Sequence, residues 1–153
     1  LIKMGKRFYK IGIAGWMVVL FLLGGCKKAP INDKIEGMWK LEEFTTHEDG
    51  KTHPCERIYY SIQLWVVDVA EKQGFHGYKP SVGRFMYGED EKTVTMKDFY
   101  YRNQTTDSKE ATALEDLIPY GINSLETTFE VVKADGKSLI LRSDYATLRF
   151  TSF

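Results

Sequence analysis

Residues 35–44 read Ile-Glu-Gly-Met-Trp-Lys-Leu-Glu-Glu-Phe. Ile35, Gly37, Trp39 and Leu41 fall on one side of an extended chain, and Glu36, Lys40 and Glu42 on the other. Met38 and Phe44 blur the polar side. A period of two is the mark of a strand with one face against a core. The same pattern returns along the chain. Arg57 to Val69 is rich in β-branched and aromatic residues and reads as one long strand. Its end, Leu64-Trp65-Val66-Val67, is apolar on both faces, so it is covered on both sides or lies at an interface. Val82 to Tyr87, Thr93 to Tyr101, Leu125 to Val131, Ser138 to Arg142 and Tyr145 to Ser152 read as further strands. Glu48-Asp49-Gly50-Lys51, Gly88 to Lys92 and Asp135-Gly136 supply turns, and Ala70 to Pro80 a loop. One helix is expected over Asp107 to Ile118. Asp107 and Glu110 look like a capping box, Ala111, Leu114, Leu117 and Ile118 form a stripe, and Pro119 with Gly121 ends it. The fold class is therefore all-β: a small antiparallel barrel of about seven or eight strands, or a sandwich, with one short helix.

Upstream of this body the chain changes character. Lys6, Arg7 and Lys10 precede Ile11 to Leu23, 13 residues without a charge. As a helix that run spans about 20 Å, short of a bilayer core of about 30 Å. It matches the basic and apolar regions of a secretory signal peptide, with Met4 as the initiator. Leu23-Gly24-Gly25-Cys26 resembles the lipobox of bacterial lipoproteins. The resemblance implies a leader over residues 1–25, cleavage before Cys26 and lipid attachment at its thiol. Residues 26–34 then read as a tether and 35–153 as the folded domain. The expected location is the bacterial cell envelope, with the membrane as partner through the lipid. Lys27 in place of Asp after the Cys points, by resemblance, to the outer membrane, its face left open.

The whole chain carries 21 bases and 21 acids, but four of those bases lie in the leader. The rest holds 21 − 4 = 17 bases and 21 acids, a net of about −4. A mildly acidic domain disfavours nucleic acid as a partner. With Cys26 acylated, Cys55 has no second cysteine and is expected as a small buried residue. A 26–55 disulfide is the alternative.

Gly37-Met38-Trp39, on the first strand after the tether, resembles the G-x-W motif of lipocalins and their relatives. That resemblance implies that Trp39 plugs the base of a barrel, with Arg149 from a late strand stacked on it. Ser143-Asp144-Tyr145 is similar to the family's Thr-Asp-Tyr turn, although it sits close to the C-terminus. Lipobox, tether, the I-x-G-x-W-x-L opening and an all-β body together resemble lipocalin-like lipoproteins common in Bacteroidetes. The resemblance implies a binding barrel and no enzyme.

No G-x-S-x-G, H-E-x-x-H or phosphate loop occurs in the chain. His47, His53 and Cys55 lie near one another in sequence, but a zinc site needs three or four convergent ligands, and no metal or cofactor is expected. Acidic runs such as Glu89-Asp90-Glu91 read as solvated turns. Aromatics are the unusual feature, 21 of 153 residues. Tyr60, Phe85, Tyr87 and Tyr100, with Met96 as an adaptable wall and Asp98 as a polar group, are the candidate lining of a ligand cavity. A small barrel can equally pack solid. Two functions follow: a tethered barrel binding a small apolar molecule, or a solid barrel docking a protein through Leu64 to Val67.

Overall fold

The computed structural model describes residues 29–102 and 109–153. The leader, Cys26, the start of the tether and Asp107 lie outside the described residues. Nine strands form one antiparallel sheet: β1 Gly37–Thr46, β2 Thr52–Pro54, β3 Ile58–Gln63, β4 Val66–Glu71, β5 Ser81–Tyr87, β6 Thr93–Tyr101, β7 Glu126–Ala134, β8 Ser138–Arg142 and β9 Ala146–Ser152. β1 pairs with β9, so eight strands close into a barrel and β2 is extra. One edge of β1 runs along β9 from Trp39 to Thr46. Its other edge pairs with β3 over Gly37 to Lys40, then with β2 over Glu43 to Thr45. Closure removes the free edges that an open sheet would leave.

Three irregularities bend the sheet. β1 shifts register between Leu41 and Glu43, which lets Leu41 and Phe44 both point inward. That shift is why Phe44 breaks the period-two reading. β6 bulges at Asp98, whose φ is +54°, opposite Gly83. A Cβ at Gly83 would sit 2.8 Å from the Phe99 ring and 2.9 Å from the Lys97 carbonyl oxygen, so only glycine lets the two strands approach there. β7 shifts between Val131 and Lys133. Bulges of this kind increase twist and help a sheet close.

The lumen is filled. Each barrel strand sends in at least one side chain with no exposed surface: Leu41, Tyr60, Val69, Phe85, Met96, Phe129, Leu141 and Leu148. This interior is the hydrophobic core, and its burial is the main force holding the fold.

Three sequence expectations change. Arg57 to Val69 is two strands, β3 and β4, joined by a tight turn at Leu64-Trp65. The turn carries no Gly, Asn or Asp, the usual hairpin signal. Leu64 takes a φ of +52°, and its N–H donates to Glu36 Oε1 at 2.6 Å. A carboxylate distant in sequence thus supports the turn. Of the helix expected over Asp107 to Ile118, the described part, residues 109–118, is not α-helical. Ala111 bridges to Tyr100 in extended conformation, and the chain then makes two 3₁₀ turns, Leu114–Asp116 and Ile118–Tyr120. Gly121, at φ +82°, ends the second. The apolar stripe is divided, with Leu117 buried and Leu114 and Ile118 partly exposed. Finally β2, unread from the sequence, lies on an edge, where Pro54 needs no donor.

Candidate functional site

The two ends of the barrel are built differently. At the base, the N-terminal segment folds under the strands. Asn32 O accepts the N–H groups of Ile35 (3.2 Å) and Glu36 (2.9 Å), making a turn ahead of β1. Trp39 is 2% exposed, and its indole N–H donates to Ile35 O at 2.7 Å. Gly37 has a φ of +144°, which a side chain would strain. The Glu36 carboxylate accepts from Asn32 N at 2.8 Å, Leu64 N at 2.6 Å and Tyr87 Oη at 3.1 Å. Burial would raise its pKa, but hydrogen bonds from Asn32, Leu64, Tyr87 and Ile31 outweigh that and hold it below 4.5.

At the mouth, the connection between β6 and β7 turns inward. Leu117, Tyr120 and Ile122 are fully buried and stop the lumen. The Tyr60 hydroxyl donates to Tyr120 O, and the Tyr120 hydroxyl donates to Lys79 O at 2.9 Å. Burial pushes both phenol pKa values up, so both remain neutral donors. Over this plug lies a cleft of about 410 Å³. Phe44, Ile58, Tyr78, Ile118, Pro119 and Tyr145 form its apolar walls, while Thr52, His53, Cys55, Glu56 and His76 supply the polar atoms. His53 stacks on Phe44 at 4.8 Å between centroids, and His76 on Tyr78 at 4.7 Å. Glu71 organises the loop after β4, accepting from Gly77 N at 3.0 Å and Tyr78 N at 3.4 Å and meeting His76 Nδ1 at 2.6 Å. Burial raises the Glu71 pKa and these bonds lower it, with a net decrease. Gly74 allows this, because a Cβ there would lie 2.2 Å from the Glu71 side chain. Cys55 is half-buried, and burial, with Glu43 and Glu42 nearby, pushes its thiol up to about 11. It is a packed thiol rather than a reactive one.

The six residues expected to line a ligand cavity do not meet in one. Tyr60, Phe85 and Met96 are core side chains with no exposed surface. Tyr87 is half-buried at the base, bonded to Glu36 and edge-on to Phe85. Asp98 points outward from its bulge, 3.8 Å from Arg84. Tyr100 lies on the outer wall, with Lys109 Nζ 5.1 Å from its ring centroid. Aromatic content did not separate lumen from wall, because β6 changes phase at Asp98. Nor does Arg149 stack on Trp39. It lies between inward-pointing Leu148 and Phe150, is exposed, and donates to Thr45 Oγ1 at 3.3 Å. Trp39 lies opposite Ser152 on β9. His47 bonds outward to Thr147 Oγ1 at 2.8 Å, apart from His53 in the cleft. The cleft residues that the sequence reading missed come from five separate segments. Their one sequence signal was Phe44, the residue out of phase.

A closed, plugged eight-stranded antiparallel barrel with one extra edge strand defines a class of fold. The lipocalin-like domain family model matches residues 20–153, and the chain belongs to that family. A lipocalin-like protein from Bacteroides uniformis ATCC 8492 has a similar structure, with a TM-score of 0.57 at 16% identity, covering 78% of this chain and 99% of that one. An uncharacterized protein from Bacteroides eggerthii DSM 20697 gives a TM-score of 0.56 at 16% identity, covering 77% and 98%. At such identity the likeness is one of fold. No curated protein matches the sequence.

Proposed function

We propose that this protein is a lipid-anchored lipoprotein of the bacterial cell envelope, held through Cys26, whose barrel binds a small, largely apolar molecule at its mouth. The carrying observation is the cleft itself: aromatic and aliphatic walls over a lumen that is already full. Pockets of about 300–1,000 Å³ with apolar walls and a few polar groups suit small ligands. Among the described residues no Lys or Arg lines the cleft, whereas Glu56 does. A neutral or weakly cationic ring compound fits that lining better than an anion. The lipocalin-like fold supports a binding role, and the lipobox supports the anchor.

Ile118 is 37% exposed and sits on the cleft wall, so Ile118→Arg should fold and fill the site. The neutral fluorescent probe N-phenyl-1-naphthylamine should bind the parent and lose at least about tenfold in affinity, ~1.4 kcal/mol, in the variant. Equal binding by both, or none by either, would remove the cleft from consideration. Cys26→Ser should block acyl labelling and leave an uncleaved precursor. A second reading, a solid barrel that docks a protein in an envelope complex, is favoured by the filled lumen. It predicts that Ile118→Arg leaves probe binding unchanged.

A further inference from the structure

We propose that the base of the barrel lies on the bilayer surface, with the β3–β4 hairpin tip entering the headgroup layer through Trp65. This inference rests on the Cys26 anchor and adds an orientation to it.

Trp65 is 58% exposed and Val66 47%. Val66 pairs with Arg84 on β5, and Met86, next along the same outward face, is 42% exposed. These three side chains make an apolar ledge at one end of the barrel. The tip is braced, because the Phe85 N–H donates to Trp65 O at 2.8 Å and Leu64 N is held by Glu36. Trp65 thus leaves more than half of its surface outside the monomer, on a turn whose backbone is held by hydrogen bonds. Tryptophan at a bilayer interface keeps its ring among apolar groups and its N–H in a wet layer.

The tether points to the occupant. Pro30 and Leu64 border the same shallow groove of about 350 Å³, so the N-terminal segment leaves the barrel beside this hairpin. From Cys26 to Pro30 is four residues, at most about 14 Å of chain. A lipid on Cys26 therefore holds the base close to the headgroups and leaves little room for a protein between. By topology the same end carries Asp33, Glu36, Glu89, Asp90, Glu91 and Asp135 against Lys34, Arg84, Lys92, Lys133 and Lys137, a near balance among the described residues. Such an end suits a zwitterionic surface and needs no anionic lipid.

After removal of the leader, two of the three tryptophans remain, Trp39 and Trp65. Only Trp65 can meet lipid. The full-length protein, purified from membranes and shown by mass to be acylated, would be reconstituted into phosphatidylcholine–phosphatidylethanolamine vesicles. Some vesicles would carry lipid brominated near the top of the acyl chain. The expected result is a blue-shifted emission and loss of about half of it to bromine, at the depth of about 5–10 Å typical of interfacial side chains. Raising the salt should change neither. Trp65→Phe, at an exposed position, should remove the quenching. An acylated protein whose emission ignores bromolipid would overturn the orientation while leaving the anchor intact. A protein lacking acyl groups would take down the anchor, and the orientation with it. A photocrosslinker at position 65 that captures an envelope protein instead of lipid would assign the ledge to a protein partner and overturn the proposal.

Discussion

Both ends of the barrel use a carboxylate to hold irregular backbone, but they use it differently. Glu36 at the base gathers groups 4, 28 and 51 residues away: Asn32, Leu64 and Tyr87. Glu71 at the mouth gathers groups within seven residues of itself: His76, Gly77 and Tyr78. The first arrangement cross-links the tether, the β3–β4 hairpin and β5. The second stabilises a single loop. A cross-linked base gives a fixed foundation where the N-terminal segment meets the barrel, the end that the proposed lipid anchor would hold. A locally tied loop can alter at the mouth without disturbing the strands. This difference is what the proposed arrangement requires, an anchor at one end and a binding cleft at the other.

The largest test is at the base. Trp39→Ala removes a fully packed indole and the bond to Ile35, and should cost about 3–5 kcal/mol in denaturant unfolding. Tyr145→Ala at the mouth rim, where the ring is half-buried, should cost about 1 kcal/mol. Equal losses would mean that the base is not the more constrained end.

The carboxylates sharpen the comparison. Glu36→Gln weakens charge-assisted bonds from three elements and should cost about 2–3 kcal/mol. Glu71→Gln should cost about 1 kcal/mol, with faster amide exchange confined to residues 72–80. Both carboxyls have folded pKa values below the ordinary 4.5. Their contribution is therefore complete above that ordinary value and is lost as pH falls through the folded value. Acid unfolding should thus begin below about pH 4.5, and each Gln variant should flatten the acid limb of stability against pH. An unchanged limb in Glu36→Gln would show that other carboxylates set it.

Much of the barrel was legible because inward and outward residues alternate. Six strands fall within a few residues of their expected places, and β6 and β8 match in full. The misses share a cause. The Leu64-Trp65 turn is supported by Glu36, and the β1 and β6 phase changes come from bulges set by partner strands. The expected helix yields to two short turns because the chain must drop Leu117 and Tyr120 into the lumen. Each is a tertiary decision with no local signature. The site suffered most, since a cleft assembled from β1, the β2–β3 segment and the β4–β5, β6–β7 and β8–β9 connections has no sequence spacing to read. Of the four aromatic residues expected to line a lumen, Tyr60 and Phe85 fill it, while Tyr87 lies at the base and Tyr100 on the outer wall.

Arg149 offers the smallest effect. An arginine stacked on Trp39 would be worth roughly 0.5–2 kcal/mol, and its loss would alter the indole environment. Here the guanidinium is exposed on the outer wall, with one bond to Thr45, and Trp39 is capped by its own N-terminal turn. Arg149→Ala should therefore shift stability by no more than about 0.5 kcal/mol and leave Trp39 emission unchanged. Measured on Trp65→Phe, where Trp39 is the reporter, a red shift or a loss above 1 kcal/mol would show that the base is closed from β9 as well. The division between a locally capped base and a loop-capped mouth would then have to be redrawn.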